Sequence, residues 1–461
     1  MMTVTWSKPQ YVHARPLHCG WPSKMTTGNG HGNTIGPHVA DRTLIVGASL
    51  AGVAVAEELR IAGYVGEIVL LGDEDEMPYD RPPLSKQWLL APADRRVQPQ
   101  PLKDPKWYAD NRITLLLGAR AERLIPRENG IDVHVRGRDP ISATRVVIAC
   151  GARARNLTAA ENSDDPPGPQ PNYLRTVGDA RRFRADLQTR RGRVMVVGAG
   201  FIGLEAASAA HKLGWEVTIL EQSSSPLSRV LPPAVADACL RGLPHVGVTI
   251  RPAVSVTSHR SEKGRHTIVL DSGEEVTGDA IVVGIGTIPN TEWLHESGIS
   301  CDGGVLCDSQ GRTSVPHVWA AGDVARWHDG AGVRQPRSEQ WQSAREQARV
   351  VARSITGDDP RWTEVPYFWS EIFGVRIQMC GVASPAMSTY SIADGNKELL
   401  LLVDENHMLA GAVALNSPRW MGISKKWLSA GLSLTQCQSH TAQLSPKASI
   451  ASRERNDIEH Q

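Results

Sequence analysis

Two glycine-rich turns, each entered from an apolar run and leading into a helical pattern, constrain this chain more than any other feature. The first is Thr43-Leu44-Ile45-Val46-Gly47-Ala48-Ser49-Leu50-Ala51-Gly52, and the second is Arg193-Val194-Met195-Val196-Val197-Gly198-Ala199-Gly200-Phe201-Ile202-Gly203. In such a turn the first glycine takes a conformation that a side chain would hinder. The second lets backbone approach a pyrophosphate, and the third packs helix against strand. The helix N-terminus then offers free N–H groups and the positive end of its dipole to phosphate. Gly198, Gly200 and Gly203 fit this pattern in full. In the first turn Ser49 stands between Gly47 and Gly52; serine is small, and its hydroxyl can itself donate to phosphate.

The surroundings strengthen both turns. After Gly203 a helical pattern runs to Leu213 and Gly214, followed by the strand-like Glu216-Val217-Thr218-Ile219-Leu220-Glu221. Glu221 arrives about 20 residues past the first glycine, where an acid accepts hydrogen bonds from adenosine ribose hydroxyls and repels a 2′-phosphate. That spacing predicts NADH rather than NADPH. After the first turn the matching strand is Glu67-Ile68-Val69-Leu70-Leu71, and the acid is Asp73. Two such units in one chain imply two dinucleotides held face to face, the arrangement through which hydride passes from a nicotinamide to a flavin.

A chain of 461 residues is too long for one core and predicts two or three domains. Its net charge of +1 implies neither a general nucleic-acid-binding role nor an acidic tail. No apolar stretch is long enough to span a bilayer; residues 399–415 are interrupted by Asp404, Glu405, Asn406 and His407. The seven cysteines (Cys19, Cys150, Cys239, Cys301, Cys307, Cys380 and Cys437) are scattered, with no CxxC and no zinc spacing, and the 15 histidines form no ligand-spaced cluster. That usage predicts a reducing cytoplasm and no metal site. Flavin reductases that work on an internal disulfide carry a cysteine pair on the helix after the first turn. Val53 to Ile61 contains none, so electrons are expected to leave outward.

The fold class expected is α/β: two Rossmann-like dinucleotide-binding domains and a small C-terminal α+β domain. Residues 1–40, rich in Gly, His, Pro and Thr without periodicity, read as a disordered extension, and Met25 is a candidate start. Residues 41–153 with 287–362 form the expected FAD-binding domain, with Val318 to Asp323 as its returning strand. Residues 154–286 form the expected NAD-binding domain, behind a Pro-rich linker at 159–172. A C-terminal interface domain is expected at 363–435 and a disordered tail at 436–461.

Several further motifs follow in order: Pro78-Tyr79-Asp80-Arg81-Pro82-Pro83-Leu84-Ser85-Lys86, Tyr173-Leu174-Arg175-Thr176, Gly203-Leu204-Glu205, Thr313 to Val324, Glu339-Gln340-Trp341 and Pro366-Tyr367-Phe368-Trp369-Ser370. With the two turns, they make the chain from Arg42 to Gly431 resemble the FAD-dependent, NADH-linked ferredoxin reductases of bacterial oxygenase systems. The resemblance implies that NADH passes hydride to a non-covalently bound flavin, which releases electrons singly to an iron–sulfur ferredoxin. That ferredoxin would in turn feed an oxygenase. A homodimer is compatible with it; neither nucleic acid nor membrane is implied. A related NADH-dependent oxidase, quinone reductase or ascorbyl-radical reductase, and a redox-sensing FAD- and NADH-binding interaction protein, are the competing readings.

The resemblance also assigns roles. Lys86, Glu205 and Trp341 are the expected catalytic residues: Lys86 reaches the flavin, where a cation stabilises the reduced ring, Glu205 lies near the nicotinamide, and Trp341 lies beside the flavin. FAD is expected on Gly47, Ser49, Ala51, Gly52, Asp73, Arg81, Lys86, Ala121, Arg175, Asp323 and Trp341. NAD is expected on Gly198, Gly200, Ile202, Gly203, Glu221 and Gly286. Cys150, Ala154 and Gln340 depart from the family's usual Thr, Pro and His. Arg326, Arg334, Arg337, Arg345, Arg349 and Arg353 cluster around Trp341 in sequence; an acidic ferredoxin would be steered by such a patch, and the competing reading is a solvated helix face to which Glu339 and Glu346 contribute.

Overall fold

The computed structural model describes residues 41–92, 98–157, 170–189, 191–241, 243–262, 264–328, 337–362, 365–394, 397–444 and 450–452. The expected N-terminal extension with Met25, most of the Pro-rich linker and Arg334 lie outside the described residues.

The continuous apolar runs before the two turns become the central strands of two parallel five-stranded sheets. The first orders its strands Val318–Ala320, Arg145–Ile148, Arg42–Val46, Glu67–Leu71 and Ile113–Leu116. The second orders Asn172–Tyr173, Ala280–Val283, Arg193–Val197, Glu216–Leu220 and Thr249–Arg251. The two orders correspond strand for strand. Strands that read as near-continuous hydrophobic runs are those buried on both faces, as parallel sheets require; Leu44, Ile45, Val194 and Val196 are fully buried.

Each glycine turn lies at the C-terminal end of its central strand, where strand order reverses and ligands of open α/β sheets bind. Helices Leu50–Ile61 and Phe201–Lys212 follow. The first sheet is discontinuous in sequence: Val318 pairs in parallel with Val146 after the chain has built the second sheet. The two crossings between the sheets run side by side, with Ala152–Ala154 antiparallel to Thr287–Pro289.

A six-stranded antiparallel sheet follows, in the order Tyr367–Ile372, Val375–Gly381, Leu409–Leu415, Lys397–Val403, Ser388–Asp394 and Ile450–Ser452. The run Glu398-Leu399-Leu400-Leu401-Leu402-Val403 explains its placement. Alternate side chains of a strand face opposite ways. Leu399, Leu401 and Val403 pack with Trp420, Met421 and Trp427 of the helix Pro418–Ser429. Leu400 and Leu402 join the core built around the second parallel sheet, with Phe183, Val196 and Ile219. Tyr79, Leu84, Trp88 and Leu89, which follow the first sheet's second strand, join that same core.

The chain's end departs from expectation. A helix covers Leu434–Leu444, and Ile450–Ser452 pairs with Ser388–Asp394, where a disordered tail was expected from residue 436. The helix buries Leu434, Cys437 and Thr441 on one face. One of those three is a threonine, so the apolar stripe is too thin to stand out among the glutamines and serines around it. Asn172, the last residue of the expected linker, forms with Tyr173 a short strand at the sheet edge.

Candidate functional site

The glycines of both turns separate into two physical kinds. At Gly47 (φ +122°) an added Cβ would lie 2.2 Å from the Ala149 carbonyl oxygen, and at Gly52 only 1.9 Å from that of Gly47. Gly198 (φ +97°) and Gly203 would meet backbone oxygens at 2.5 and 2.0 Å. These four are bare because the fold leaves no room. Gly200 is different. Its nearest neighbour would be the Gly284 oxygen at 4.0 Å, and its backbone is extended, so the fold itself does not demand a glycine there. Gly286 (φ +103°) also faces open space. Bare backbone beside an open helix N-terminus suits a pyrophosphate.

The first turn borders a cavity of about 740 Å³. Gly47, Ser49, Asp73, Arg81, Ala121 and Arg175 line it. Ala51 and Gly52, buried in the first turn of their helix, and Lys86, Asp323 and Trp341 are not among the residues that line it. Asp323 reaches its edge through Arg175, whose Nη2 lies 2.8 Å from the Asp323 carboxylate.

Ser49 occupies the N-cap position of Leu50–Ile61 but makes no side-chain capping bond. Its oxygen instead accepts from Arg81 Nε at 3.1 Å. The same guanidinium donates to the Arg175 carbonyl and to Glu74, each at 2.6 Å. Glu74 also accepts from the Tyr79 hydroxyl at 2.6 Å, and Tyr79 accepts from the Val177 N–H at 2.8 Å. Burial pushes the Tyr79 phenol above its ordinary range, so it serves Glu74 as a donor. Glu74 and Tyr79 therefore fix Arg81 in the cavity wall. Neither was among the expected site residues, because nothing in the sequence links them to Ser49. Cys150, in the place of the family's usual Thr, lines the same cavity; burial pushes its thiol up to about 12.

The second turn holds its acid closely. Glu221 is buried and accepts from the Ala199 N–H at 2.6 Å and the Ser223 N–H at 2.7 Å. Ile202, one residue before Gly203, is 43% exposed, an unusual position for an isoleucine in a helix that otherwise packs inward.

Lys86 and Glu205 come together between the two units. Lys86 Nζ lies 2.8 Å from Glu205 Oε1, and the glutamate is almost fully buried. The Ser85 hydroxyl donates to Glu205 Oε2 and the Ser370 hydroxyl to Oε1, each at 2.5 Å. Trp341 opens the helix Trp341–Ile355; its indole N–H donates to Asp80 at 2.8 Å, and its ring packs edge-on to Trp369 at 6.2 Å. The signature Asp80 to Lys86 thus supplies partners to Ser49, Trp341 and Glu205 at once.

The arginines near Trp341 do not form a bare cationic patch. Arg326 pairs with Asp302, Arg337 with Glu339, Arg345 with Glu57 and Arg353 with Asp358; Arg349 is also partnered. The helix periodicity places Arg345, Arg349 and Arg353 on one face; Glu57, from the helix Leu50–Ile61, and Asp358, just past the arginines' own helix, pair with two of them.

Residues 41–348 match the family described as pyridine nucleotide-disulphide oxidoreductase, and residues 367–445 match the domain described as reductase C-terminal. The chain belongs to the pyridine nucleotide-disulphide oxidoreductase family. Within it, this oxidoreductase is 35% identical over 395 residues to the ferredoxin--NAD(+) reductase component of the anthranilate 1,2-dioxygenase system of Burkholderia cepacia, covering 85% of this chain and 95% of that one. It is similar to the crystal structure of the ferredoxin reductase for the CYP199A2 system from Rhodopseudomonas palustris, at 31% identity and a TM-score of 0.79, covering 86% and 96% of the two chains. The reductase in the covalent putidaredoxin reductase–putidaredoxin complex matches at 30% identity and a TM-score of 0.76, over 85% and 94%. Both parallel sheets of this oxidoreductase lie within residues 41–348, and five of the six strands of its C-terminal sheet lie within residues 367–445. Among its described residues no helix is long and apolar enough to cross a membrane.

Proposed function

We propose that this chain carries electrons from NADH through bound FAD to an iron–sulfur ferredoxin serving an oxygenase, in the cytoplasm. The observation that carries the reading is the convergence of Lys86 from the first unit and Glu205 from the second on one ion pair, between two turns each built for a pyrophosphate. The relatives' names support the acceptor: one is the ferredoxin--NAD(+) reductase component of a dioxygenase system, one is the ferredoxin reductase for a CYP199A2 system, and one is joined to putidaredoxin.

FAD supplies the conversion of a hydride into single electrons. The residues of this chain hold and orient it. The first turn, with Ser49, Arg81 and Arg175 in the cavity wall, takes the FAD; the second turn and Glu221 take the NADH. The Lys86 ammonium, held by Glu205, would supply a cation that favours the reduced ring. No proton-transfer dyad is needed, because alignment of the two cofactors is the main lever. The helix Leu50–Ile61 carries no cysteine, so the disulfide chemistry in the family's name is not proposed for this chain.

Mixed anaerobically, the yellow holoprotein is expected to bleach rapidly with NADH and slowly with NADPH, and then to reduce a ferredoxin over many turnovers. A protein that bleaches but passes no electrons to any ferredoxin overturns the acceptor assignment. Glu221→Gln should lower kcat/KM for NADH roughly tenfold and raise that for NADPH, because a charge-assisted ribose contact and the repulsion of a 2′-phosphate are lost together. An unchanged NADH/NADPH ratio removes Glu221 from specificity.

A further inference from the structure

Three consecutive residues of one edge strand each touch a different part of the site. In Tyr367–Ile372, the Phe368 ring packs on Phe201 at 4.5 Å, the Trp369 ring on Trp341 at 6.2 Å, and the Ser370 hydroxyl on Glu205 at 2.5 Å. Phe201 is the first residue of the second-turn helix. The strand belongs to the C-terminal sheet, so that domain reaches into the junction of the two nucleotide units.

Ser370 is completely buried. Its hydroxyl and the Lys86 ammonium both approach Glu205 Oε1, at 2.5 and 2.8 Å, while Ser85 serves Oε2. Two donors on one oxygen divide its lone pairs between them. Without the hydroxyl, the ammonium is the sole donor on that oxygen and is drawn further onto the carboxylate. A buried ion pair gains strength as competing donors leave, since little solvent screens it.

From this geometry we infer that Ser370 is a positioning residue: by occupying Glu205 Oε1, it limits how tightly Glu205 holds Lys86 and leaves the ammonium's field directed at the flavin. The inference rests on the proposed electron route. It gives the C-terminal domain a part in tuning the flavin, through one hydroxyl.

The test compares wild type, Ser370→Ala, Ser370→Cys and Ser85→Ala as FAD-loaded holoproteins. Three quantities are read: the flavin midpoint potential by dye equilibration, the anaerobic rate of reduction by NADH, and the thermal unfolding midpoint. Ser370→Ala is expected to make the potential more negative and to slow reduction about tenfold, with KM for NADH within twofold of wild type. Ser370→Cys, with a near-isosteric but weaker donor, should fall between. Ser85→Ala acts on the other oxygen and should shift the potential less. Ser370→Ala with wild-type potential and rate overturns the inference, whether or not its unfolding midpoint falls. That outcome leaves the proposed function standing, whereas a wild-type protein that NADH does not reduce overturns both.

Discussion

Glu205→Ala is expected to lower the thermal unfolding midpoint by roughly 6 °C or more and to slow reduction of the flavin by NADH at least a hundredfold. The stability term follows from burial. Glu205 is almost fully enclosed and has three donors on its carboxylate: Lys86, Ser85 and Ser370. Removing one partner of a buried pair costs about 3–5 kcal/mol, because the other charge stays buried and uncompensated. In a domain of this size each kcal/mol moves the midpoint by about 2–4 °C. Two serine hydroxyls also lose their acceptor, each costing on the order of 1–3 kcal/mol where no water can replace it. The kinetic term follows from position: the free ammonium is no longer anchored between the two nucleotide units. Glu205→Gln keeps an acceptor for one serine and should lose less stability than Glu205→Ala. Differential scanning calorimetry and stopped-flow absorbance measure the two effects. A variant as stable and as fast as wild type would mean that the pair contributes neither to the fold nor to hydride transfer.

The parts of this site that could be read in advance are those written within one strand–turn–helix unit. Gly47, Gly198, Gly200, Gly203 and Glu221 are legible because a buried strand, a tight turn and a helix impose fixed spacings on neighbouring residues. The strand returning at Val318 was legible from its apolar run ending in Gly322 and Asp323. What could not be read is contact between segments far apart in the chain. Ser370 is 165 positions from Glu205, and Ser85 is 120; a serine carries no signal of which carboxylate it will meet. Ser49 illustrates the same limit at the first turn. Its hydroxyl was legible as a donor near phosphate, but its acceptance from Arg81 depends on the packing of a loop 32 residues away. The arginines around Trp341 were visible as a cluster, whereas Glu57 and Asp302, which pair with two of them, come from other segments. The helix Leu434–Leu444 escaped for a local reason: three buried positions, one of them Thr441, make a weak stripe in a polar sequence.

Gly200→Val separates what the fold needs from what the ligand needs. The φ and ψ of Gly200 are −78° and 178°, extended backbone that any residue adopts, and its Cβ direction is open to 4.0 Å. The substitution should therefore leave the unfolding free energy within about 0.5 kcal/mol of wild type, as surface changes usually do. FAD content should also stay unchanged, since the first turn is untouched. The branched side chain would instead occupy the space that a pyrophosphate must enter against the helix N-terminus. NADH affinity is expected to fall a hundredfold or more, while flavin reduced chemically still passes electrons to ferredoxin at the wild-type rate. Gly203→Val is the contrasting case: its Cβ would lie 2.0 Å from the Gly198 carbonyl oxygen, so helix and strand must part and the second unit should fail to fold. Isothermal titration with NADH, paired with thermal unfolding, distinguishes the two. If Gly200→Val binds NADH normally, the second turn is not the nicotinamide dinucleotide's phosphate site. If it unfolds like Gly203→Val, the open space above Gly200 does not exist in solution.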